Sequence, residues 1–141
     1  MKANTDRVVV DANIILRYLL QDDPKQSPKA DRMMEMIQDE QVSAVCDPVT
    51  LAEVVWVLSA HYGISRDKIV AGLAPLIKAP CFELTEKNRY LLALEFFAAS
   101  AVHYGDACAC ADALELSGGR ILSFDRKLAG LPGIQRLETV G

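Results

Sequence analysis

Asp11, Glu53, Asp106 and Asp125 interrupt segments that are otherwise apolar. Asp11 ends the run Val8-Val9-Val10, and Asp125 closes Ile121-Leu122-Ser123-Phe124. Glu53 is the sole formally charged residue between Asp47 and Arg66, and Asp106 the sole one between Glu95 and Asp112. A carboxylate withdrawn from water without a partner costs on the order of several kcal/mol, so it finds a counter-ion or takes up a proton. A shared divalent cation answers all four acids at once, and a donor set made only of oxygen suits Mg²⁺, or else Mn²⁺. Metal-dependent hydrolysis is the chemistry this pattern points to.

The elements that must hold these acids follow from periodicity and stop signals. Strands are predicted at Arg7 to Val10, short and buried, and at Val42 to Cys46, Phe82 to Leu84, Arg120 to Phe124 and Ile134 to Leu137. Helices are predicted from Asn13 to Leu20, from a Ser27-Pro28 cap to about Asp39, and from Asp47-Pro48 to about Tyr62. Three more run from Ser65 to about Lys78, from Glu86 to Ala101 and from Asp106 to Leu116. Strands alternating with helices predict one α/β domain over residues 1–141. Its central parallel sheet would have about four to five short strands, flanked by helices on both faces.

In such sheets, sites gather beyond the carboxyl ends of the strands, where Asp11 and Asp125 fall. Glu53 has apolar neighbours three and four residues away, Val49, Trp56 and Val57, so it is expected to face the interior or a cleft, with Trp56 in the core. Asp106 opens a helix, where the dipole favours an anion. Plainer roles compete. Asp11 and Asp106 could serve only as caps, Asp125 could pair with Arg126 or Lys127, and Glu53 could meet a distant arginine. Asn13 and Ser123 suit either turn support or site support.

A net charge of −4 disfavours a broad non-specific nucleic-acid surface, although four acids with bound metal would reverse the local sign. The sequence has no run of about 20 apolar residues, and its start lacks the apolar block of a secretory signal, so a cytoplasmic address is expected. The four cysteines lack a Cys-x₂-Cys pair or a nearby histidine pair, which argues for structural thiols rather than zinc or a disulfide framework. Two histidines and no Gly-x-Ser-x-Gly give a serine-hydrolase triad little support.

The same residues resemble a known family, the PIN-domain ribonucleases of the VapC toxin type. Val-Val-Val-Asp-Ala-Asn-Ile-Ile-Leu-Arg-Tyr-Leu-Leu resembles the family's first strand and Asp-x-Asn motif. Val49 to Leu58 resembles its second-acid helix, Gly105 to Ala111 the third-acid helix and Leu122 to Leu128 the fourth-acid segment. The resemblance implies a PIN fold, RNA cleavage with Mg²⁺ or Mn²⁺, and the toxin's part in a toxin–antitoxin pair. By position, Asp11, Glu53, Asp106 and Asp125 take the acidic cluster, and Asn13 and Ser123 its polar support. It further implies a VapB-type antitoxin as partner and a homodimer. The chain departs at His103, where many relatives carry Asp.

Phosphodiester hydrolysis needs an activated water, a neutralised phosphate and a stabilised leaving oxygen, which a metal pair about 4 Å apart can supply. Asp11 is expected as the central ligand, with Asp106 and Asp125 completing the set and Glu53 acting through water. Two alternatives stand beside this reading. One is a non-catalytic module that binds metal and RNA or a partner. The other is a haloacid-dehalogenase-like phosphatase, which Asn13 in place of a second Asp disfavours. A stripe of Ala30, Met33, Met34 and Ile37 either packs on the core or accepts a partner helix. Arg17, Lys25 and Arg126 are the candidates for a small basic rim that meets RNA.

Overall fold

Valine alternates with small residues in Val-Ser-Ala-Val-Cys, and this segment forms a strand with Val42, Ala44 and Cys46 buried and Ser43 and Val45 half-buried. The computed structural model describes residues 6–140, and the chain divides into two compact units, Met1–Thr85 and Glu86–Gly141. The start of the chain, where no apolar leader is read, lies largely outside the described residues.

The first unit is a three-stranded parallel sheet, β1 (Asp6–Val9), β2 (Val42–Cys46) and β3 (Phe82–Leu84), in the order β1-β2-β3. Its register pairs Val8 with Ala44 and Val45 with Glu83. The crossovers are helical, as parallel pairing requires. They comprise α1 (Ala12–Leu20), α2 (Gln26–Gln38), α3 (Pro48–Trp56) and α4 (Arg66–Lys78). α1 packs against α2 and α3, α2 against β2, and α4 against β3. The core of this unit joins Ile15, Leu51, Val54, Leu73, Ile77 and Phe82, each fully buried.

Local chemistry fixes most of the boundaries. Asp47 caps α3 by accepting from Val49 N at 2.7 Å, with Pro48 in the first turn, where its missing N–H costs nothing. After Trp56 the helix widens into one π turn, Val57–His61, and Gly63 at φ +63° ends it. The α2 start corrects the expected Ser27 cap. Asp23 accepts from the backbone N–H groups of Lys25 and Gln26, and these bonds hold its carboxyl below the usual range. Ser27 is instead buried, its hydroxyl donating to Arg17 O at 2.8 Å. The Met stripe packs mainly on the core, with Ala30, Met34 and Ile37 buried and Met33 half-buried.

The expectation of a buried first strand is also corrected. Every residue of β1 is exposed, with Val9 at 78%. β1 is an edge strand, and among the described residues it pairs with β2 alone.

The second unit pairs α5 (Lys87–Ala99) with α6 (Tyr104–Leu116). Small buried residues on α6, Ala107, Cys110 and Ala111, let it approach the Ala93, Leu94 and Phe97 side of α5. Arg89 ties the two helices together, reaching Glu115 at 2.6 Å and Asp112 at 3.4 Å. A two-stranded parallel sheet, β4 (Arg120–Leu122) and β5 (Gln135–Leu137), follows, with a 3-10 turn at Arg126–Gly130 between the strands. Gly119, at φ +89°, lies so close to the Gly133 carbonyl that a Cβ there would collide with it. Among the described residues, five short strands, all paired in parallel, and six α-helices give the expected α/β class, but the strands form one sheet of three and one of two rather than a single central sheet. Among the described residues, no helix is long and apolar enough to cross a membrane.

Candidate active site

Asp11 and Glu53 belong to the first unit. Asp11 follows β1 and caps α1, its Oδ1 accepting from Ala12 N at 2.9 Å. One carboxylate oxygen thus serves the helix, while Oδ2 makes no hydrogen bond among the described residues. Glu53 lies midway along α3, which packs on α1. Its side chain is exposed, contrary to the expectation that it faces the interior or a cleft rather than bulk water. The reason is the helix's orientation. Leu51, Val54, Val55 and Leu58 take the core, and this turns Val49, Glu53 and Trp56 outward. Trp56 is therefore 66% exposed rather than part of the core.

Asp106 and Asp125 belong to the second unit. Asp106 is half-buried in the first turn of α6, where the unpaired N–H groups of the helix start favour its charge. His103 occupies the N-cap position of the same helix, exposed and without a capping bond from its side chain. Asp125 opens the 3-10 turn, accepting from Lys127 N at 3.0 Å.

None of the four acids forms an ion pair with a lysine or arginine among the described residues. The surface pairing of Asp125 with Arg126 or Lys127 is thus absent there, and Glu53 meets no distant arginine. Asp11 and Asp125 do act as caps, but each commits only one oxygen to that role. Among the described residues, no group of three or more His, Cys, Asp or Glu side chains is gathered closely enough to hold a metal ion.

The polar neighbours have local partners. Asn13 Nδ2 donates to Gln26 Oε1 at 3.2 Å. Ser123 Oγ accepts from Asp125 N at 3.0 Å, so it shapes the turn that presents the fourth acid. A further support comes from a residue that nothing in the sequence marks. Arg136, on β5, donates from Nη1 to the Ser123 carbonyl at 2.7 Å and also meets Glu138 at 2.8 Å. Its partner lies thirteen positions back, so only the fold reveals the contact. Arg17 leaves the group of rim candidates. It is held by Asp22 at 2.7 Å and by the Tyr62 hydroxyl, with its side chain only 15% exposed. Lys25 and Arg126 are exposed.

A model of the PIN domain matches residues 7–113, about three quarters of the chain. The chain belongs to the PIN domain family. The match spans Asp11, Asn13, Glu53 and Asp106, while Ser123 and Asp125 lie beyond its end. The PIN domain is a nuclease fold, and its general substrate is RNA. A search of curated proteins gives no match.

Proposed function

We propose that this PIN-domain protein is a metal-dependent endoribonuclease of the VapC type, acting in the cytoplasm as the toxin of a toxin–antitoxin pair. One observation carries the reading. Three of the four acids fall within the PIN match, and none of the four is neutralised by a lysine or arginine among the described residues. A carboxylate kept without a counter-ion in an otherwise apolar stretch suits a cation that arrives from solution.

The donor set fits Mg²⁺ or Mn²⁺, since all four groups are hard oxygen donors and each has an oxygen without a hydrogen bond among the described residues. In this reading Asp11, Asp106 and Asp125 would serve as direct ligands once a cation binds. Bound there, the cation would neutralise the scissile phosphate and lower the pKa of a water. Glu53, exposed and without a partner among the described residues, takes the proton of the attacking water or orients that water. Ser123 and Arg136 fix the backbone that carries Asp125, and Asn13 steadies the start of α1. A VapB-type antitoxin and a second copy of the toxin complete the system.

The test is RNA cleavage by antitoxin-free protein with Mg²⁺, with Mn²⁺ or with EDTA. Cutting with either metal and none in EDTA supports the reading. Metal binding without cutting of any folded RNA would point to a non-catalytic module.

A further inference from the structure

Trp56 and Glu53 occupy one exposed face of α3, a helix that contains no lysine or arginine. At roughly 100° per residue, Val49, Glu53 and Trp56 fall within about 60° of one another, opposite the buried Leu51, Val54 and Val55. Val49 is 76% exposed and Trp56 66%, so two large apolar groups flank the carboxylate at the surface. Neither α3 nor the π turn after it contains a lysine or arginine.

We infer that Trp56 stacks on an unpaired nucleobase of the RNA strand lying over Glu53. The inference rests on the nuclease reading and names the substrate feature that this part of the site accepts. If Glu53 acts on the attacking water, the RNA must pass over it, and the groups beside it must meet some part of that RNA. Beside Trp56 a phosphate finds no partner on this helix, because neither α3 nor the π turn offers it a lysine or arginine and the cation of the nuclease reading would sit with the carboxylates. A base presents an uncharged π face that matches an indole and a valine. Aromatic stacking of this kind is the usual means of holding single-stranded RNA without reading its sequence. It is all the more needed in a chain of net charge −4, where release of counter-ions from phosphates contributes little. A second copy fits this face poorly. A two-fold contact centred on this face would bring two Glu53 carboxylates toward each other away from water.

Trp56 is the sole tryptophan, so its fluorescence reports on this face alone. The test uses the full chain carrying Asp106→Asn, so that RNA is bound but not cut. The probes are a short oligoadenylate, the same oligomer annealed to oligouridylate, and an abasic oligoribonucleotide. The expected result is saturable quenching of Trp56 by the single strand, in step with its binding seen by anisotropy. The duplex and the abasic strand should bind roughly tenfold more weakly, Trp56→Ala should lose about as much, and Trp56→Phe should recover most of it. Binding of the single strand without quenching, or with unchanged affinity in Trp56→Ala, overturns the inference while the nuclease reading stands. A blue shift of the emission that follows dimer formation assigns the face to a second copy and also overturns it. Absence of RNA binding together with absence of cutting by the unmutated chain defeats both readings.

Discussion

Arg136 Nη1 donates to the carbonyl of Ser123 at 2.7 Å, joining β5 to the segment that presents Asp125. Ser123 also donates its N–H to Leu137 O at 3.0 Å, so two bonds hold the chain where it leaves β4. A charged donor on a backbone carbonyl contributes about 1.5–3 kcal/mol. Arg136→Met should therefore lower stability by about that amount and reduce cleavage by misplacing Asp125. Arg136→Lys should recover part of both. Urea unfolding and cleavage rates check this, and a Met variant matching wild type in both would show that the bond positions nothing.

The two sides of α3 should respond differently to truncation. Leu51 is fully buried, so Leu51→Ala should cost about 2–5 kcal/mol. Trp56→Ala removes a far larger side chain from the exposed side and should change stability by no more than about 0.5 kcal/mol. Thermal unfolding of the two variants decides between this orientation and one with Trp56 in the core.

Cys46 gives a pH prediction with a definite sign. Burial, aided by the Asp47 charge, pushes its thiol from the ordinary 9.0 up to about 11. The folded chain therefore keeps a proton that the unfolded chain releases above pH 9. Stability from this group is complete below pH 9 and is lost as the pH rises toward 11. Cys46→Ala should flatten that alkaline decline. In the same pH range the folded thiol should resist iodoacetamide until denaturant is added, which mass spectrometry can follow.

β2 and β3 were legible because short apolar runs bounded by turn residues leave few alternatives, and Asp47-Pro48 announces the start of α3 through local bonds. The acids were legible as isolated charges in apolar stretches. Their surroundings were not. Apolar neighbours of Glu53 suggested burial, but a helix flanked by apolar residues on every side has no single inward face in its sequence. Its actual orientation comes from Leu51 and Val54 docking in the core, which periodicity alone does not select. The Val8-Val9-Val10 run suggested a covered strand, yet β1 is an exposed edge within its unit. Ser27-Pro28 has the form of a cap, whereas Lys25 takes the N-cap position and Asp23 accepts the backbone N–H groups of Lys25 and Gln26 ahead of the helix. Arg136 was illegible because its importance lies wholly in a contact made by the folded chain.

In the proposed function, Asp11, Glu53, Asp106 and Asp125 act together in cutting RNA. The most direct measurement is the Mg²⁺-dependent cleavage rate of Asp11→Asn, Glu53→Gln, Asp106→Asn and Asp125→Asn, each confirmed as folded. Asp67→Asn, at an exposed acid in the first turn of α4, serves as the control. Each of the four should lose at least about a hundredfold in rate, with the control unchanged. Cleavage that persists near the wild-type rate in any of the four, or that survives EDTA, would contradict the account.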